Sequence, residues 1–138
     1  MNIIRGGISL DNRGQIRYVN EFDMSSIKRF YIIQNSDTEL IRGWRAHRIE
    51  DRWFYVISGS FEINIVQIDN WDQPSVDLSI LKYNISAEEL QLIHLPAGYG
   101  TAIRALDKNS ELLVFANYGL EHASSDNSTW PLDYFNGL

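Results

Sequence analysis

Along Phe61 to Ile68 apolar and polar positions alternate, with Phe61, Ile63 and Ile65 on one side and Glu62 and Asn64 on the other. A period of two marks a strand with distinct faces. Four further short runs, Arg29 to Gln34, Arg52 to Ser58, Gln91 to Leu95 and Glu111 to Asn117, are rich in Ile, Val, Phe and Tyr and each predicts a strand. Ser58-Gly59-Ser60 joins two of these runs and reads as a tight turn or bulge in a hairpin. Asp11 to Gly14, Asp69 to Pro74, Pro96 to Gly100 and Asp107 to Ser110 supply further turn punctuation. Only Ser86 to Leu90 resembles a helix start, with serine as N-cap and acids behind it, and it is one turn at most. Many short strands separated by turns predict an all-β chain folded as a jelly roll. The stretch from Glu121 to Leu138 is polar first and aromatic afterwards, at Trp130, Tyr134 and Phe135, so it is expected to dock on the barrel or on a partner subunit.

The chain has 138 residues and no internal repeat or linker, which fits a single domain over 1–138. It contains no cysteine, so disulfides, thiolate metal sites and cysteine nucleophiles are excluded. A net charge of −6 sets the average field against phosphate backbones and anionic membrane surfaces, so neither nucleic acid nor membrane is expected as a partner. Against that background, Lys28, Arg29, Arg42, Arg45, Arg48 and Arg52 concentrate six of the 12 basic residues between positions 28 and 52. Such a zone is either a site for a small anionic ligand or a strand with solvated basic ends. The first residues, Met1 to Gly7, lack the apolar run of a signal peptide, and no stretch approaches the roughly 18 apolar residues of a membrane span. A cytoplasmic location is the expectation.

Within the basic zone, Arg42-Gly43-Trp44-Arg45-Ala46-His47-Arg48 runs directly into the strand pattern that begins at Arg52. Arg45 and His47 are two apart, so in extended conformation they face the same side. Taken with Ile27 to Ile33 before it and Ser58-Gly59-Ser60 after it, this segment resembles the sugar-nucleotide branch of the cupin superfamily. It is similar to the dTDP-4-keto-6-deoxyglucose 3,4-ketoisomerases and, with Pro96-Ala97-Gly98-Tyr99, to the dTDP-4-dehydrorhamnose 3,5-epimerases. The resemblance covers residues 9 to 118 and implies a cupin-type barrel, usually dimeric, that binds a thymidine diphosphate sugar. It implies proton transfer next to a keto group without metal or organic cofactor. The ketoisomerase motif has the form Arg-Gly-x-His-x-His. Here Arg45 stands at the first histidine position and only the second is kept, as His47.

The chemistry needs a base, a donor for the enolate oxygen and an acid for the return step. The expected catalytic residues are His47 as base and Tyr31 as acid, with Arg42 and Arg45 holding phosphate or enolate and Arg29 and Trp44 completing the ligand contacts. Arg45 cannot itself serve as base, because a guanidinium stays protonated, but its charge would keep His47 neutral. Each assignment has a structural alternative: a barrel-internal hydrogen bond for His47, a salt bridge to Glu50 for Arg42, a core or interface position for Tyr31, and packing for Trp44 and Trp53. His94 could point into the barrel, whereas His122 falls in a polar loop. Of a cupin metal set the chain offers His47 and Glu50, with Arg45 and Thr101 where two histidines would stand, so no metal is expected. The preferred reading is a cofactor-independent 3,4-ketoisomerase acting on a dTDP-4-keto-6-deoxyhexose. The alternatives are a 3,5-epimerase and, because of Arg45, a noncatalytic sugar-nucleotide-binding cupin. Exposed strand edges and the aromatic strands Arg29 to Gln34 and Arg52 to Ser58 predict a homodimer.

Overall fold

Twelve strands follow one another with almost no helix between them in the computed structural model, which describes residues 1–138. They are β1 (Asn2–Arg5), β2 (Gly7–Asp11), β3 (Gly14–Tyr18), β4 (Arg29–Ile33), β5 (Ile41–Ala46) and β6 (Arg52–Ser58). Then come β7 (Ser60–Gln67), β8 (Leu81–Ser86), β9 (Gln91–Leu95), β10 (Tyr99–Ala105), β11 (Glu111–Ala116) and β12 (Ser128–Thr129). Two five-stranded antiparallel sheets result, one in the order β1-β9-β6-β11-β4 and the other β12-β5-β10-β7-β8, while β2 and β3 form a separate hairpin. The expected jelly-roll architecture is what the chain adopts. No helix is long and apolar enough to cross a membrane.

Alternation along each strand decides what lies between the sheets. Phe54 and Val56 of β6, Ile63 and Ile65 of β7, Ile93 and Leu95 of β9, Ile103 of β10, and Leu112 and Val114 of β11 form one buried cluster that draws on both sheets. Tyr31 and Ile33 of β4 pack against it, while Phe30 and Ile32, one residue out of phase, are exposed. The hairpin turn at Gly59 has φ 71°, and a Cβ there would overlap Ser110, so the position favours glycine on both counts.

A second cluster lies on the other side of the β5-β10-β7 sheet. Trp44 and Ala46 of β5, Val66 of β7 and Ala102 of β10 are covered there by Phe135, with Trp130 and Tyr134 packed beside it. Two backbone hydrogen bonds of 3.1 Å between Trp44 and Trp130, and the pairing of β12 with β5, fasten the tail in place. The aromatic tail therefore docks on its own barrel. The one-turn helix expected after Ser86 is a 3-10 turn over Ala87–Glu89, with the Glu89 carboxylate accepting the Ser86 N–H at 3.1 Å.

Candidate active site

Register across β5 and β10 builds the site. Arg45 lies opposite Thr101 and Arg42 opposite Ile103, with a bulge between the two pairs. Trp44 and Ala46 turn outward to the tail, which leaves Arg42 and Arg45 on the interior side with Thr101. A cavity of about 670 Å³ opens here; Tyr31, Arg42, Arg45, Arg52 and Thr101 supply its chemistry, and Ile33 and Ile103 are among its apolar lining. A second cavity of about 420 Å³ is lined by Arg29, Tyr31, Arg45, His47, Ala123, Ser124 and Asn127. Tyr31 and Arg45 belong to both, so the two spaces adjoin, and no carboxylate lines either.

His47 is 7% exposed, and its Nδ1 lies 2.6 Å from the backbone oxygen of Asp126. A carbonyl only accepts, so Nδ1 carries the hydrogen and Nε2 keeps its lone pair. Burial first, and then the Arg52 guanidinium, push the imidazole pKa down to about 4; Arg45 contributes in the same direction. The ring is neutral near pH 7 and in the tautomer a general base requires. Nε2 sits 3.5 Å from Oε2 of Glu50, an oxygen with no hydrogen-bond partner, while Oε1 of the same carboxylate accepts from Arg29 at 2.9 Å. Burial raises the Glu50 pKa and the Arg29 hydrogen bond opposes the rise.

The loop between β5 and β6 is held from the tail. The Asp126 carboxylate accepts the backbone N–H groups of Arg48, Ile49 and Glu50 at 2.8, 3.0 and 2.8 Å. One tail residue thus fixes both the imidazole and the backbone on which Glu50 rides.

Arg45 and His47 do face the same space, as their spacing predicts. Tyr31 joins them from β4. Arg29 borders the second cavity, but its guanidinium is engaged by Glu50 and by the Tyr118 carbonyl at 3.3 Å. Glu50 therefore pairs with Arg29, and the only side-chain partner of the Arg42 guanidinium is Asn35 at 3.1 Å. The ligand contact expected of Trp44 is corrected: its ring is 1% exposed, donates Nε1–H to the Leu132 carbonyl and meets Phe135 edge-on, so it has no face for a ligand. His94 is likewise turned out of the barrel, stacked on Trp53 at 4.6 Å and bonded to Asp51 at 3.0 Å. Arg48 leans over the Trp71 ring, away from both cavities.

Sequence reasoning counted Arg52 only as one of the basic zone. The structure places it at the centre of the site, 3% exposed, with its guanidinium over the Phe54 ring and Nη1 donating to Thr101 Oγ1 at 3.1 Å. Nη2 has no partner. The signal was its position two before Phe54, which puts a cation in phase with the inward-facing residues of β6.

Donors for a metal ion do not assemble. No group of three or more His, Asp or Glu side chains is placed to hold one, and Arg45 and Thr101 stand where the cupin pattern needs histidine. The residues present do not fit a resident metal.

No protein-family model matches the chain, and no curated protein does. Solved structures do. QdtA, a sugar 3,4-ketoisomerase from Thermoanaerobacterium thermosaccharolyticum in complex with TDP, superposes with a TM-score of 0.70 at 18% identity, over 98% of this chain and 91% of that one. The WlaRB TDP-quinovose 3,4-ketoisomerase from Campylobacter jejuni gives 0.72 at 18% identity, over 99% and 97%. The dTDP-4-dehydrorhamnose 3,5-epimerase from Bacillus anthracis, with TDP and PPi bound, gives 0.77 at 12% identity, over 95% and 78%. At such identities the likeness is one of fold, and the chain has the jelly-roll fold found in the RmlC-type sugar-nucleotide cupins.

Proposed function

We propose that this chain binds a nucleotide-activated keto sugar in the paired cavities and moves a proton next to the keto group. 3,4-Ketoisomerisation is the preferred outcome and 3,5-epimerisation the second. The observation that carries this reading is the His47 tautomer: a neutral imidazole, locked through Nδ1, with its Nε2 lone pair beside a cavity that also holds Tyr31 and Arg45. Nε2 takes the proton from the ring carbon, Arg45 stabilises the enolate oxygen, and the Tyr31 hydroxyl returns a proton. Glu50, 3.5 Å from Nε2, stabilises the imidazolium formed midway. Arg42 at the cavity wall is available to the diphosphate, where planar bidentate recognition suits it. The solved QdtA complexes that contain TDP or TDP-4-keto-6-deoxyglucose support the ligand class.

A noncatalytic nucleotide-sugar-binding role is the second reading, favoured by Arg45 at the first histidine position of the motif. Proton NMR of the protein with dTDP-4-keto-6-deoxyglucose in deuterium oxide separates the two. Loss of the C3 proton signal, abolished in His47→Ala, is the expected result, and additional loss at C5 would point to the epimerase. Binding without exchange would leave the noncatalytic role. We further propose that the protein works as a homodimer, because β4 is an unpaired sheet edge whose outward Phe30 and Ile32 are 64% and 49% exposed.

A further inference from the structure

Three of the 7 residues that line the smaller cavity carry the chemistry proposed for it: His47 as base, Tyr31 as acid and Arg45 at the enolate oxygen. Arg29 is held by Glu50 and by the Tyr118 carbonyl, and Ala123 has no polar group to offer from its side chain. Two neutral polar side chains are left, Ser124 and Asn127, both exposed and neither tied up in a hydrogen bond within the chain. The reaction does not need them, so their use is in binding.

Asn127 is the better placed of the two. Where β12 pairs with β5, Ser128 lies opposite Ala46 and Thr129 opposite Arg45. One step further along the same antiparallel register sets Asn127 across from His47. Alternation puts it on the same side of the strand as Thr129, which borders the larger cavity together with Arg45. Opposed residues on one face of a ladder have Cβ atoms about 5 Å apart, so the Asn127 amide stands beside the base. Its backbone is held on both sides, through Ser128 by the β5 ladder and through Asp126 by the loop N–H groups and the His47 ring. Ser124 has no such anchors; it lies in the turn that follows Leu120–His122. A side chain on a fixed backbone can discriminate where one on a loose turn cannot.

With His47 at the C3 hydrogen and Arg45 at the C4 oxygen, the flank of the reacting carbon away from the keto group carries the C2 hydroxyl, which none of the reacting residues serves. A hydroxyl both donates and accepts, and an amide does the same through Nδ2 and Oδ1. We propose that Asn127 is a specificity-determining residue of the site, that it hydrogen-bonds the C2 hydroxyl, and that the chain thereby selects 2-hydroxy sugars over 2-deoxy sugars. The inference rests on reading the cavities as a nucleotide-sugar site and names a group its substrate must carry. A 2-deoxy sugar displaces water from the amide and returns no hydrogen bond, which is the source of the selection.

Calorimetric titration of the purified protein with dTDP, dTDP-glucose and dTDP-2-deoxyglucose tests it, because none of the three carries the keto group that the chemistry needs. The glucoside is expected to bind about fivefold tighter than its 2-deoxy analogue, the yield of one neutral hydrogen bond. In Asn127→Ala the ratio falls to about one through weaker binding of the glucoside alone, whereas a merely structural role would weaken all three ligands together. Equal affinities for the two sugars, or a preference for the 2-deoxy sugar, in the unaltered protein would overturn the proposal and leave the nucleotide-sugar reading intact, whether or not the variant folds. A preference that survives in Asn127→Ala, or a uniform loss across the three ligands, would overturn the assignment to Asn127. Failure of all three to bind the unaltered protein would remove the nucleotide-sugar reading and this inference with it.

Discussion

His47 and Glu50 face each other across 3.5 Å with opposite responses to burial, and pH can tell them apart. The folded imidazole titrates at about 4, below its ordinary 6.5. Between those values the unfolded chain binds a proton that the folded one refuses, so acid destabilises the fold there, by up to about 3 kcal/mol across the window. Glu50 has the other sign. Its folded pKa lies above the ordinary 4.5, so its contribution to stability is present in acid and is lost as pH rises through the folded value. Glu50→Gln removes that opposing slope and leaves the histidine alone. Urea midpoints measured from about pH 7 to about pH 5 should fall more steeply with acid in the variant than in the unaltered protein. Parallel slopes would mean that the rise in the Glu50 pKa is too small to act within that window. The spacing of two makes Arg45 and His47 legible as one face, whereas Arg42 and Tyr31 are pointed to by the resemblance and by the chemistry it implies. Glu50 sits in a loop and gives no such signal; Asp126 is, with Asp133, one of two tail acids able to orient His47 if the tail folds over the barrel, and across 79 positions no local pattern chooses between them, whereas the structure takes Asp126.

At the scale of elements, strands with strong apolar alternation were readable almost to the residue. Arg52–Ser58 matches its expected bounds, and Ser60–Gln67 ends one residue early. Others were hidden. Tyr99–Ala105 follows Pro96-Ala97-Gly98 and reads as turn punctuation, yet Gly100 and Ala102 are small because Ala46, Trp44 and Val66 pack over that face. The hairpin of β2 and β3 carries exposed Leu10 and Ile16 at 70% and 66%, so nothing buried shaped its pattern. Docking of the tail was visible in its aromatics, but which surface it takes depended on Trp44 pointing outward. That packing predicts the cost of breaking it. Phe135 is 2% exposed and meets Trp44, Trp130 and Tyr134 ring to ring, so Phe135→Ala should lower unfolding free energy by about 3–5 kcal/mol in urea titration. A loss below about 1 kcal/mol would show that the tail contributes little to the fold.

The whole molecule is an acidic jelly roll with a cavity lined by arginines and no carboxylate, an arrangement whose field favours small anions there and disfavours polyanions at the surface. The edge strands of the two sheets are β1, β4, β12 and β8, and of these the β4 edge turns Phe30 and Ile32 outward. Light scattering on the eluted protein should report twice 16.0 kDa, and Phe30→Glu with Ile32→Glu should return the single-chain mass. A single-chain mass for the unaltered protein would remove the homodimer. The tail has a further consequence when its two attachments are taken together. Ala123, Ser124 and Asn127 border the cavity of His47, Asp126 holds the imidazole, and a few residues later Phe135 seals the opposite face of the same sheet. Occupancy of the cavity and closure of the tail are thus linked equilibria, and linkage is reciprocal. Whatever a ligand gains from a closed tail, the tail gains from the ligand. Amide hydrogens around Asp126 should therefore exchange more slowly as the cavity fills, giving a label-free reporter of binding that reads from the backbone and not from the chemistry.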